Sequence, residues 1–505
     1  MPVARPTTNP GTNTEGLEIQ AVMGQWQSRF LIAASLLPFL VLTTIHWDLG
    51  PIITRSDYAQ YLLHAEALLQ GRSYTDIGFI FSAHAPFAGP EAYPPGLSVT
   101  LLPILAVFGR NAAALKLLMI VCAIGWLWCA ARYLEKRCGI WIACGAVMMT
   151  GVAVENSFAT NVVNSDLGFA ALIWALLLSA DAEGDWTWRR ALIVLLLGTA
   201  AMAYRVVGLA AVPALLLYAV LRWRKGAKWA MAPVLVWGAI AINALSVLPI
   251  TSQYQHTVFS DPASLPARVE QNIRPPRAAA LEAMLYPLPI EWLNDVYHAV
   301  ALLLVGIGAV AFLRRNRVNY VVYFMVCYTG MLLIAPAAVA RYWWPLFPVL
   351  TAWLLTGVEQ LTRLARAPGI AVQAPFAFAL LLALGAVPVS AARATPATLP
   401  GNADVQALFE TLRNLPDAPR LRVYFVNPRV MTLETGIAAM PFIGVTEVEL
   451  LSQLRAQAIT HVVSGTLGTG REAQRTLVTT IGQNPALFIP IYRNDTFALY
   501  RFVGR

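Results

Sequence analysis

The sequence predicts an all-α polytopic membrane protein of about eleven transmembrane helices, followed by a small α/β domain at its C-terminal end. Three observations predict it. Of 505 residues, 58% are hydrophobic and only 12% charged, with a mean hydropathy of +0.59; soluble domains run at about half apolar and about a quarter charged. The apolar residues fall in repeated uninterrupted runs of about 16–22 residues, the length a helix needs to cross a bilayer. The basic residues stand in short clusters between those runs: Arg132, Lys136 and Arg137; Arg189 and Arg190; Arg222, Arg224, Lys225 and Lys228; Arg314, Arg315 and Arg317; Arg363 and Arg366. Such clusters orient spans by facing the cytoplasm, so the net charge of +9 does not point to nucleic acid.

Residues 1–28 are polar, rich in Thr, Asn, Gly and Pro, and are expected to be a disordered cytoplasmic segment. The transmembrane domain then covers 29–394. Its first apolar run, about 30–48, has no small-x-small cleavage site after it and reads as an uncleaved anchor. A polar loop over 49–93 follows. The next two runs, 94–108 and 112–131, cannot both cross, because the ARYLEKR cluster at the end of the second would then face outside. The first is the shorter and opens on Pro94-Pro95-Gly96, so it is expected to lie on or dip into the outer leaflet. Spans at about 139–155, 166–182, 190–204, 207–222, 229–250, 296–313, 319–337, 342–360 and 372–392 then place every basic cluster inside. A second polar outside loop covers 251–295.

The last segment, 395–505, follows a linker at 392–403 and is large enough for a small domain outside the membrane. Val405, Leu408, Phe409 and Leu412 recur at helical spacing. LRVYFVN reads as a strand and ELLSQLRAQAITHVVS as a helix and then a strand. FIPIYRNDTFALYRF reads as a hairpin turning at Asn494-Asp495. The five cysteines lie in or beside apolar runs, with neither disulfide nor zinc spacing. Six scattered histidines give no ligand pattern.

The residues that could carry chemistry gather at outer span ends. Asp57 follows the first span in SDYAQYLLHAEALL, where Ser56 can cap the helix and leave the carboxylate for other work. Asp166 begins the span of NSDLGFAALIW, and Glu155 ends the span before it. Carboxylates brought to one surface by separate spans could activate an acceptor hydroxyl or hold a divalent cation such as Mg or Mn. Lys116, Arg205 and Arg341 break the positive-inside pattern. Snorkelling to lipid head groups would account for them, but guanidiniums at an outer interface also suit a phosphate, which they bind bidentately.

These residues carry a resemblance. SDYAQYLLHAEALLQGRSY, YPPGLSVTLLPILAVFG, NAAALKLL, NSDLGFAALIW, YRVVGLAAVPALLL and ARYWWPLFPVL stand in the order seen in GT-C glycosyltransferases. The chain resembles the bacterial branch related to protein mannosyltransferases and lipid A aminoarabinose transferases. The resemblance implies a GT-C fold in the inner membrane, with a periplasmic active site and a periplasmic C-terminal domain. It implies transfer of a sugar from a polyprenyl-phosphate donor to a lipid, glycan or protein acceptor. Asp57 and Asp166 would be catalytic, and Lys116, Arg205 and Arg341 would bind the donor phosphate. Tyr58, Tyr61, Glu91, Tyr93, Pro94, Pro95 and Tyr342 would line the cavity. Loop 251–295 could close over it. Two positions depart from the pattern: Tyr58 stands where many relatives have Glu, and Tyr93 where aminoarabinose transferases have Lys, which points away from aminoarabinose as product. A polysaccharide polymerase or ligase, a multi-span transporter and a non-catalytic scaffold are the competing readings. A transporter would be expected to carry an internal repeat and ionisable residues near mid-span.

Overall fold

A computed structural model of the chain describes residues 14–47, 56–82, 89–90, 93–155, 159–182, 185–222, 227–247, 265–273, 291–316, 319–335, 339–365, 367–393, 402–443, 445–465 and 471–504. The helical part begins earlier than expected. α1 (Thr14–Ser35) already covers half of the stretch read as disordered, because GLEIQAVMGQWQ is free of Pro and rich in helix formers. α2 (Leu37–Ile45) continues it after a break at Leu36, where Pro38 in the first turn cannot extend the hydrogen-bond ladder.

α3 (Ser56–Leu69), α4 (Gly96–Phe108) and α5 (Ala112–Cys138) follow. Asn111 caps α5 by accepting from the Ala114 amide at 3.0 Å. α4 packs against α8 closely enough that a Cβ on Gly96 would lie 2.6 Å from the Tyr204 ring and 2.7 Å from the Ala203 backbone. α6 (Ile140–Glu155) and α7 (Ser165–Ala180) are buried nearly throughout and pack on α5. α8 (Trp188–Tyr204), α9 (Ala211–Arg222) and α10 (Met231–Val247) complete the first half. α11 (Glu291–Arg315), α12 (Tyr320–Ile334), α13 (Phe347–Leu364) and α14 (Ala374–Arg393) form the rest of the bundle. α11 and α13 touch backbone to backbone: a Cβ on Gly308 would strike the Trp353 carbonyl, and one on Gly357 the Leu304 carbonyl.

Three described helical stretches are long and apolar enough to cross a membrane: Gly24–Ile45, Ala112–Cys138 and Asp295–Arg315. Seven more apolar helices are shorter, among them Gly96–Phe108, Ser165–Ala180 and Tyr320–Ile334. Short helical turns, Val206–Ala210 before α9 and Ala340–Leu346 before α13, account for part of the difference from the expected spans.

The C-terminal domain is α/β, as expected. α15 (Asn402–Arg413) buries Val405, Leu408, Phe409 and Leu412. β1 (Arg422–Phe425), β3 (His461–Ser464), α17 (Glu447–Ala456) and the β4–β5 hairpin (Phe488–Arg493, Ala498–Phe502) match the sequence reading. Three further elements were not anticipated: α16 (Pro428–Thr435), β2 (Ala438–Pro441) and α18 (Arg471–Gln483). The sheet order is β2-β1-β3-β5-β4, with β1 parallel to β2 and β3, and β5 antiparallel to both of its neighbours. β2 ends the sheet, and a piece of the first loop extends that edge. Ile80 donates to the Ala439 carbonyl at 2.8 Å and Ala439 donates to the Gly78 carbonyl at 3.1 Å. The loop thus joins bundle to domain by strand addition.

Candidate active site

Four interruptions in the helices deliver the charged residues to one place. Asp57 stands in the first turn of α3, where a carboxylate suits the helix dipole. Asp166 stands in the first turn of α7, where its amide donates to the Asn164 cap at 3.0 Å. Arg205 ends α8 in extended conformation (φ −152°, ψ 133°), so its side chain leaves the helix axis. Arg341 lies in the short turn before α13, pinned by the Trp174 indole donating to the Pro345 carbonyl at 2.8 Å and the Tyr328 hydroxyl donating to the Tyr342 carbonyl at 2.7 Å.

The side chains form a chain of alternating charge. Arg205 pairs with Asp166 Oδ1. Arg341 lies between the two carboxylates, with Nε 3.2 Å from Asp166 Oδ2 and Nη2 donating to Asp57 Oδ2 at 2.5 Å. Asp57 Oδ1 accepts from the Tyr93 hydroxyl at 2.6 Å, and Arg429 Nη1 stands 3.4 Å away. Arg205 also stacks over Tyr342, 4.0 Å from the ring centre. Asp166 is only 3% exposed, whereas 29% of the Asp57 side chain is open, so Asp57 is the more accessible of the two carboxylates. Three guanidiniums face two carboxylates, and the cluster keeps one positive charge in excess.

Burial is the largest single influence on the Asp57 carboxyl and pushes its pKa up; Arg341, the Tyr93 hydrogen bond and Arg429 together outweigh it and hold the group below the usual carboxylate range. Beneath Asp57, α3 is fixed by a buried network. His64 pairs with Gln60 at 3.0 Å and with the Tyr74 carbonyl at 2.6 Å, and the Tyr74 hydroxyl donates to the Tyr93 carbonyl at 2.9 Å. Burial drives the His64 ring to a pKa of about 4, so it stays neutral.

The structure thus brings together Asp57, Asp166, Arg205, Arg341, Tyr93 and Tyr342 as the sequence suggested. Tyr61 joins at the edge, donating to Ser165 at 2.8 Å and meeting Tyr93 edge-on at 5.3 Å. Pro94 and Pro95 lead into α4 behind Tyr93. Lys116 is buried on α5, which packs against α7, and the ion pairs above do not include it. Tyr58 faces the C-terminal domain, under the influence of Glu434, Arg110 and Glu66. Glu155 belongs to a separate cluster, accepting from Thr160 at 2.9 Å with His46 3.6 Å away. Glu91, the side chain of Ser56 and most of loop 251–295 lie outside the described residues. Arg429 was missed; it comes from α16 of the C-terminal domain and is buried against Tyr93.

As metal donors the two aspartates fit poorly. Arg341 occupies the space between them, and among the described residues no three His, Cys, Asp or Glu gather into a group. A divalent cation there would have to sit among guanidiniums.

No protein-family model matches the chain, and no curated protein matches it in sequence. Solved structures do match it in fold. Similarity to ArnT from Cupriavidus metallidurans, solved with undecaprenyl phosphate, covers 94% of this chain and 97% of that one at a TM-score of 0.54 and 12% identity. Similarity to the oligosaccharyltransferase AglB from Archaeoglobus fulgidus, solved with an inhibitory peptide and a dolichol-phosphate, covers 94% and 74% at a TM-score of 0.59 and 12% identity. The chain shares the fold of these proteins. In this chain the charged cluster lies where α3, α7 and α8 end or begin, under the C-terminal domain.

Proposed function

We propose that the chain is a membrane glycosyltransferase that moves one sugar from a polyprenyl-phosphate donor to an acceptor hydroxyl. The observation that carries the reading is the accessible Asp57 carboxylate, held by Arg341 beside the buried Asp166–Arg205 pair. In the transfer, the acceptor oxygen bonds to the anomeric carbon while the bond from that carbon to the phosphate oxygen breaks. Asp57 takes the acceptor proton, and the lipid leaves as polyprenyl phosphate. The excess positive charge of the cluster stabilises the departing phosphate, the kind of term that usually dominates. Arg205 and Arg341 fill this role; the position of Arg341 between the carboxylates, with Arg205 on the far side of Asp166, supports charge stabilisation by guanidinium in place of a Mg or Mn ion. The acceptor is a lipid, glycan or protein.

The site faces the periplasm of a bacterial inner membrane in this reading, with about eleven crossings and a cytoplasmic N-terminus. Its support is that the site and the basic clusters occupy opposite ends of the same helices. α8 opens on Arg189 and Arg190 and closes on Arg205; Arg341 precedes α13 and Arg363 ends it. Fluorescence-quench titration with dolichyl and undecaprenyl phosphates tests the donor class. Wild type should bind at least one, with affinity about tenfold weaker in Arg341→Lys, since Lys cannot bind phosphate bidentately. Absence of binding by wild type would sink the donor assignment.

A further inference from the structure

Arg429 is an unusual guest in this cluster. It belongs to the C-terminal domain, is separated by 372 residues from Asp57, and its side chain is only 5% exposed. Its distance to the carboxylate is 3.4 Å, the longest of the contacts to Asp57. Its better bond goes elsewhere: Nη1 donates to the Tyr93 hydroxyl at 2.9 Å, and the guanidinium lies over the Tyr93 ring at 4.8 Å and near Phe79 at 5.7 Å. A tyrosine hydroxyl has one proton. Because Arg429 supplies a donor to the Tyr93 oxygen, the Tyr93 proton is committed to Asp57 Oδ1.

The docking that brings Arg429 here is built at several points. α16 opens with Pro428 at its first turn and closes on Gly436 in the left-handed region (φ 72°), which fixes its register and packs it on α3. Arg110, just after α4, forks onto both oxygens of Glu66 on α3 and also donates to the Leu433 carbonyl of α16 at 2.7 Å. The strand addition at Ile80 and Ala439 secures the other side.

We propose that Arg429 is a positioning residue of the transfer site, delivered by the C-terminal domain, which orients the Tyr93 hydroxyl so that Asp57 keeps one fixed edge toward the acceptor. Docking of the domain and assembly of the site are then one event. The proposal rests on the glycosyltransferase reading for its kinetic consequence but not for its physical one. The test is carbodiimide labelling of Asp57 as a function of pH, read by mass spectrometry on the full chain in lipid, for wild type, Arg429→Ala, Arg429→Lys and Tyr93→Phe. Carbodiimide captures the protonated carboxyl, so the labelling midpoint reports its ionisation.

Removing the cation beside the carboxylate in Arg429→Ala, or the hydroxyl that donates to it in Tyr93→Phe, should move the midpoint up by about one pH unit. Arg429→Lys should fall between them and wild type. With a polyprenyl-phosphate sugar as donor, Arg429→Ala should lower kcat about tenfold and leave KM within about threefold. A midpoint unchanged in Arg429→Ala and Tyr93→Phe overturns the proposal. A wild type that labels as expected but turns over no donor overturns the transfer reading and leaves the labelling to decide this one. If Arg429→Ala does not fold, Tyr93→Phe and Arg429→Lys decide by the same shift.

Discussion

At the scale of single residues the proposed transfer depends on keeping Asp57 ionised and aimed. Asp57→Asn removes the negative charge but not the shape, and should lower transfer by about 10²–10⁴-fold, measured as kcat at neutral pH. Its carboxyl lies below the ordinary range when folded, so the stabilisation it gives is complete above that range and lost only as pH falls through the folded value. His64 behaves in the same sense for a different reason. The unfolded ring takes up a proton near pH 6.5, while the buried ring resists until about pH 4. Stability is therefore full above 6.5 and falls as pH drops toward 4. Thermal unfolding at pH 7 and pH 5 should show the loss in wild type, and a smaller loss in His64→Gln.

Asp57, Asp166, Arg205 and Arg341 were legible because a charge at the end of an apolar run stands out against its surroundings. Arg429 was not, since an arginine in PRVMTLETG looks like any other in a water-exposed domain. Only the fold brings it back to Asp57.

At the scale of elements, the expected helices were found because apolar runs survive any tertiary context. The short ones were not. α16 has only eight residues, with Pro at its first turn and Gly after its last as its local helix signals. β2 is four residues, AAMP, with little β-propensity, and is held by its neighbours β1 and the Gly78–Ile80 segment. The sequence signals disorder across the start of α1, because polar residues there mask a helix that continues into the first apolar run.

Two predictions belong here. Arg110→Ala removes the fork to Glu66 and the bond to Leu433, and should increase hydrogen exchange in 428–435 with a docking loss of about 1 kcal/mol, since the pair is half open to water. Gly308→Val places a side chain where the Trp353 carbonyl stands. It should separate α11 from α13 and lower the thermal midpoint by several degrees or abolish folding, at a cost of about 1–3 kcal/mol or more.

At the scale of the whole molecule, bundle and C-terminal domain meet over the charged cluster, so each half contributes to a site that neither holds alone. The site lies at one end of α8 and α13, and Arg189, Arg190 and Arg363 lie at the other. That polarity was legible from the parity of the spans. The closure of the C-terminal domain onto α3 was not, because nothing local in 395–505 records what it packs against. The most direct measurement is turnover of a panel of polyprenyl-phosphate sugars by purified protein in lipid, wild type beside Asp57→Asn. Release of free polyprenyl phosphate by wild type, with release by Asp57→Asn reduced by about 10²-fold or more, is the predicted result. Equal release by the two proteins would contradict a catalytic Asp57.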